Sequence, residues 1–144
     1  MRTILSLLLF LTFSNTSFAQ DWKVLDESGP NYTVYYRPDR VIKNDNIITV
    51  WLKDVRTGAQ LSAQRAKLAR NTPSLAAKYK SYSYTLKKIM FDCSAHTLKI
   101  TNAAEYDTAG NVIWSYTRDD VEWQECIPDS YGDVMSRNLC ALYQ

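Results

Sequence analysis

Short runs of aromatic and β-branched residues, separated by tight turn signals, constrain this chain more than any other feature. Tyr32–Tyr36 (YTVYY), Ile47–Leu52 (IITVWL), Tyr82–Phe91 (YSYTLKKIMF), Thr97–Tyr106 (TLKITNAAEY) and Val112–Thr117 (VIWSYT) have the composition of strands. Trp22–Leu25 and Val41–Ile42 are shorter versions of the same signal. Lys43-Asn44-Asp45-Asn46 and Asp107–Asn111 supply turns, because Asn, Asp and Gly tolerate positive φ. Strands joined this way pair antiparallel, and no regular alternation of strand and helix calls for a parallel sheet. Along Tyr82–Phe91, period 2 places Tyr82, Tyr84, Leu86 and Met90 on one face.

The period changes after Gly58. Ala59–Arg70 (AQLSAQRAKLAR) is rich in helix formers, with Leu61, Leu68 and alanines as its apolar contacts, so a surface helix is expected. Thr72-Pro73 reads as an N-cap and a first-turn proline opening a second short helix through Lys78. Ser130–Leu142 reads as a closing helix, with Ser130 and Asp133 resembling a capping box. Its expected apolar face is Tyr131, Val134, Met135, Asn138 and Leu142, with Cys140 opposite. The helix is therefore expected to end or unwind near Leu139 if Cys140 is bonded to the sheet. The architecture expected is α+β: an antiparallel sheet of about six strands, a mid-chain helical insertion and a C-terminal helix.

Residues 1–19 read as a secretory signal. Arg2 supplies the charge, Ile4–Phe13 the apolar run, and Ser17-Phe18-Ala19 the small residues before a cut at Gln20. The run is short of the ~20 residues a membrane span needs, and no cysteine near the cut offers a lipidation site. No stable membrane anchor is therefore expected. Removing 19 of 144 residues leaves 125, read as one domain over 20–144. Export into the periplasm or beyond means an oxidising space, where disulfides form. Cys93, Cys126 and Cys140 allow three pairings and leave one thiol over.

A formal charge of +2 conceals a strong asymmetry. Lys53 to Lys88 holds nine basic residues against one acid, and Glu105 to Asp133 holds eight acids against one base. Arg65, Lys67, Arg70, Lys78 and Lys80 in the helical insertion form a candidate basic patch for an anionic partner or surface. The alternative is that it meets the acidic third of the same chain or of a second copy, giving a homodimer.

Catalytic patterns are absent. His96, three residues after Cys93, suggests a thiol–imidazole pair only if Cys93 is free, and no third orienting group follows from the sequence. One His and three Cys match no zinc spacing, and Asp119, Asp120 and Glu122 lack the glycine of a calcium loop. There is no phosphate-binding glycine loop and no nucleophile elbow. The expectation is a protein without cofactor or metal and without enzymatic activity, a thiol redox protein or small hydrolase being the competing class. Basic residues interleave with Tyr79, Tyr82 and Tyr84, but an exported protein rarely meets nucleic acid, so none is expected as partner.

Five blocks in order resemble the surface-adhesin protein E-like domain of bacterial exported proteins. They are Trp22, Val34–Trp51 (VYYRPDRVIKNDNIITVW), Lys87–Cys93 (KKIMFDC), Ala104–Ile113 (AEYDTAGNVI) and Trp123–Cys140 (WQECIPDS…LC). The chain departs from the family pattern at Arg37, where an acid is common, and at Asp129, which replaces the Gly of a Pro-Gly-Ser turn. The two family cysteines match Cys93 and Cys140, so the resemblance implies that these form the disulfide and that Cys126 is the free thiol. It also implies an antiparallel sheet with a C-terminal helix and a protein partner, host matrix proteins in some members. It brings no catalytic residue. The functional expectation is an exported, adhesin-like binding domain acting by protein–protein contacts, at the cell surface or in the periplasm. A periplasmic accessory protein with a bacterial partner is the alternative.

Overall fold

A computed structural model describes residues 21–27 and 29–144. The expected signal segment and its cleavage site lie outside the described residues. The strands are β1 (Lys23–Asp26), β2 (Tyr32–Tyr36), β3 (Ile42–Asn44), β4 (Ile47–Arg56), β5 (Tyr82–Asp92), β6 (Thr97–Asp107), β7 (Val112–Thr117) and β8 (Gln124–Glu125). All pairings are antiparallel. The main path runs β1-β2-β4-β5-β6-β7, six strands as read from the sequence, with β3 added on β4 and β8 on β6. Two residues of β8 are too few to leave a period in the sequence.

The helices are α1 (Gly58–Asn71), α2 (Ala76–Tyr79) and α3 (Tyr131–Tyr143). The α+β class is therefore correct, with the helical insertion mid-chain and α3 closing the fold. Asp45 adopts φ 51° in the β3–β4 turn, where its short side chain permits the left-handed region. Asp107 takes the N–H groups of Ala109 and Asn111 in the β6–β7 turn. Pro73 stands at the start of a 3-10 turn that leads into α2, yet Thr72 makes no side-chain cap.

Alternation along β4 divides the sheet. Ile48, Val50, Leu52 and Asp54 are buried on one face, and Ile47, Thr49, Trp51, Lys53 and Val55 lie on the other. Against the first face packs α3, whose Met135 and Leu139 join Val34, Tyr36, Val50, Leu52, Ile89 and Phe91 in a closed core. Helices α1 and α2 cover the far end of the same face. Tyr79 donates to Glu105 and Tyr82 bonds Thr85, and both partners belong to that face. The expected grouping of Tyr82 with Tyr84, Leu86 and Met90 fails because a bulge at Ser83 turns Tyr82 over into the core.

The face of α3 matches the expectation at Tyr131, Val134 and Met135, which pack on the core, and differs toward its C-terminal end. Met135, Ser136 and Leu139 are buried and Cys140 half-buried, whereas Leu142 is 59% exposed. The stripe 136, 139, 140, 143 puts Cys140 beside the sheet, so the helix continues through it to Tyr143 without unwinding. The capping box is only half formed. Ser130 accepts the Asp133 N–H, but the Asp133 carboxylate takes the N–H of Asp129, not that of Ser130.

A buried charge fastens α3 to the sheet. Asp54, 1% exposed, accepts Lys87 Nζ at 2.5 Å and Tyr131 Oη at 2.9 Å. Burial first, and the Asp54 charge second, hold the Tyr32 and Tyr131 phenols above their ordinary range, so both remain neutral donors around the carboxylate.

Candidate functional site

Among the described residues, no α-helix packs on the second face of the sheet; the 3-10 turn Pro38–Arg40 brings Arg40 to the hollow there. The side chains of this face form three cross-strand rows that the register defines. Tyr35, Lys53, Leu86, Ala104 and Ser115 make one, Trp51, Lys88, Asn102 and Thr117 the next, and Thr33, Val55, Tyr84 and Tyr106 the third. Period 2 puts them here automatically once Ile48, Val50 and Leu52 are assigned to the core.

Rings and cations organise this face. Tyr84 and Tyr106 stack with centroids 4.8 Å apart and planes 12° from parallel. Lys53 Nζ lies 4.4 Å above Tyr84 and 5.8 Å from Trp22, so the ammonium is held between two aromatic faces. Partial burial lowers the Lys53 pKa. Beside this stack lies an open hollow of about 300 Å³, with Trp22, Trp51 and Tyr106 as walls and Leu86 and Ala104 in its floor. Arg37 and Arg40 stand at its rim. Arg37 donates twice to Asp39, at 3.0 and 2.5 Å, and the guanidinium holds that carboxyl below its usual range. Arg40 is less committed, its Nε 3.8 Å from Asp39. Among the described residues, Asp39 is the one carboxylate that ion-pairs with Arg37, Arg40, Lys53 or Lys88.

The candidate patch read from the sequence lies elsewhere, on α1, α2 and their flanks. Lys67, Arg70, Lys78 and Lys80 are exposed. Arg65 is half-buried and donates from Nε to the Tyr82 carbonyl, which ties α1 to β5. Its role is therefore at least partly structural, because a guanidinium near apolar surface serves best as a multiple donor. Among the described residues no ion pair joins this segment to the acidic third of the chain.

Cys93 and Cys140 form a disulfide, with Cα atoms 5.8 Å apart. Cys126 is free and 2% exposed. Burial pushes its thiol pKa up, so it stays protonated and is a poor nucleophile at neutral pH. The pairing leaves His96 without a thiol partner at Cys93. His96 instead meets Asp133, Nε2 to Oδ1 at 2.9 Å, and Arg137 approaches the other carboxylate oxygen at 3.0 Å. Asp133 is held below its usual range, first by the Asp129 N–H and then by His96 and Arg137. This acid was legible only as a cap, because a 37-residue separation hides its contact with His96.

Reading the sequence missed the stacked Trp22, Lys53, Tyr84 and Tyr106 face. Its signal was available: Trp51, Lys53 and Val55 alternate with the core set, and the turns fix which strands place Tyr84 beside them.

The described residues thus form a single antiparallel sheet with helices packed on one face and aromatic rings and cations set on the other. The chain belongs to the surface-adhesin protein E family, whose model matches residues 22–141. Neither a curated protein nor a solved structure matches the chain. Membership agrees with a binding role at a surface or outside the cell, and no helix among the described residues is long and apolar enough to cross a membrane.

Proposed function

We propose that this chain is an exported, non-enzymatic binding domain that holds a protein partner through the uncovered face of its sheet. The observation that carries this reading is the side-chain content of that face. Trp22, Trp51, Tyr84 and Tyr106 are set among Lys53, Lys88, Arg37 and Arg40, and among the described residues no α-helix lies over them. Aromatic residues and arginine concentrate at the centres of protein interfaces, where rigid rings bury much area at little entropic cost. The burial and raised pKa of Cys126, together with the Cys93–Cys140 bond, support the non-enzymatic side of the proposal. Export through residues 1–19, with 20–144 as the working domain, is part of the same reading.

The four exposed cations Lys67, Arg70, Lys78 and Lys80 have an auxiliary role in it. They raise the local positive potential and draw an anionic partner, an effect that weakens above ~0.15 M salt, where the screening length is about 8 Å.

The test is display of the chain on a bacterium that does not adhere. Attachment to protein-coated surfaces should appear, and should be lost with Trp51→Ala plus Tyr106→Ala while the circular dichroism spectrum is unchanged. Attachment that survives both substitutions would remove the sheet face from the proposal, and no attachment to any protein surface would remove the binding role. Lys67→Glu with Arg70→Glu should slow attachment at low salt only.

A further inference from the structure

The hollow on the uncovered face is selective in what it can accept, and this selectivity rests on the binding role proposed above. We propose that it takes an acidic segment of a protein partner, with one apolar or aromatic side chain seated between Trp22 and Trp51 and a neighbouring carboxylate on Arg40. Three observations converge on that chemistry.

The first is size and lining. A volume of about 300 Å³ stands at the lower end for ligand pockets, enough for one large side chain and a stretch of its backbone. Leu86 and Ala104 in the floor and the two indoles form an apolar surface that only an apolar group fills with gain. A sulfated polysaccharide supplies anions without such a group and leaves this surface wet.

The second is the balance of donors and acceptors. Arginine offers donors and no acceptor, and among the described residues no carboxylate lines the hollow. Asn102 already donates from Nδ2 to Thr117 Oγ1 at 2.7 Å, and Arg37 is engaged by Asp39. The group left with free donors at the rim is Arg40, whose side chain is 66% exposed. The hydroxyls of Ser115, Tyr116 and Thr117 give a neutral sugar ordinary hydrogen bonds, whereas a carboxylate gains a charge-assisted pair with the guanidinium, roughly twice as strong.

The third is charge. Lys88 lies between Trp51 and Asn102 in the row that borders the hollow, and Lys53 stands one row away. With Arg37 and Arg40 these make four cations against Asp39, so the face complements an acidic partner and repels a basic one. Single-stranded nucleic acid also combines anions with flat rings. Here, however, Tyr84 is occupied by Lys53 and by Tyr106, which leaves no continuous platform for successive bases.

The experiment titrates the exported protein at low salt while following tryptophan fluorescence. The probes are three synthetic peptides alternating phenylalanine with glutamate, serine or lysine, together with heparin and a twelve-nucleotide oligothymidylate. The glutamate peptide should bind saturably, at least tenfold more tightly than the serine peptide, and the lysine peptide should not bind. Arg40→Glu and Trp51→Ala should each weaken the glutamate peptide tenfold or more with an unchanged circular dichroism spectrum. Equal binding of glutamate and serine peptides would overturn the anion requirement. Trp51-dependent binding of heparin or oligothymidylate in place of the peptide would reassign the hollow to that class. If no probe binds yet displayed cells still attach through Trp51 and Tyr106, the ligand class falls while the binding face stands.

Discussion

The two faces of the sheet are built from the same strands and stabilised by different physics. On the covered face, Val50, Leu52, Ile89, Phe91, Met135 and Leu139 exclude water, and the buried carboxylate of Asp54 is partnered by Lys87 and Tyr131. On the uncovered face, Lys53 and Arg37 are held half in water by rings and by Asp39. A closed core makes every loss expensive, because neither cavities nor orphaned charges find compensation. A half-solvated face tolerates loss in stability terms and concentrates its sensitivity in what it binds. On the proposed reading, the alternation of single strands separates stability from recognition in this molecule.

The disulfide behind the covered face should show the largest effect. Replacing Cys93 and Cys140 with Ser opens a link between residues 47 apart, and loop-closure entropy sets an upper figure of about 4 kcal/mol. Urea unfolding of the double variant measures it, and a loss below about 1 kcal/mol would show that the covered face holds α3 unaided.

Asp54→Ala comes next. It leaves Lys87 and Tyr131 facing each other without an acceptor, at a cost of about 3 kcal/mol, reduced from the fully buried case because Lys87 is 23% exposed. Chemical denaturation should record that loss with ligand binding retained once the protein is folded. A cost near zero would mean that water replaces the carboxylate and that this face is less closed than its core indicates.

The Asp133 cluster should respond to acid. Its folded pKa is depressed, so its contribution is present at neutral pH, above the unfolded value of about 4, and is lost as pH falls through the folded value. Asp133→Asn should flatten the decline of melting temperature in that window, and an unchanged acid limb would deny the cluster a role.

Trp51→Ala should cost no more than about 1 kcal/mol, since the ring is only half-buried, while weakening attachment, which the added Tyr106→Ala abolishes. A stability loss as large as that of Asp54→Ala would collapse the distinction between the faces. The smallest effect belongs to Lys67→Glu and Arg70→Glu, expected within about 0.5 kcal/mol of the parent in stability. A larger change by thermal unfolding would give the basic helix a packing role like that of Arg65.

Legibility differed by element for identifiable reasons. Tyr32–Tyr36, Ile47–Leu52 and Val112–Thr117 announce strands because side-chain shape and turn residues act locally, and the insertion at Ala59–Arg70 is equally plain. Tyr82 was misplaced because one extra residue, Ser83, reverses the face of everything before it, and such a bulge is created by the partner strand. The apolar face of α3 is legible at Tyr131, Val134 and Met135 and fails at its end, where the helix turns Leu139 and Cys140 toward the sheet and leaves Leu142 in water. The basic patch was legible as composition, but only the contact with the Tyr82 carbonyl separates Arg65 from its exposed neighbours.

What the sequence determined by itself is the class: antiparallel strands, an inserted polar helix, a closing amphipathic helix and a charge asymmetry, all consequences of interactions over a few residues. Tertiary structure alone decided which face the helices seal, that Asp54 finds Tyr131 across 77 residues, and that Trp22, Trp51 and Tyr106 line one hollow. Those outcomes depend on register and on long-range burial, where the free energy of a side chain is set by neighbours that no local pattern names.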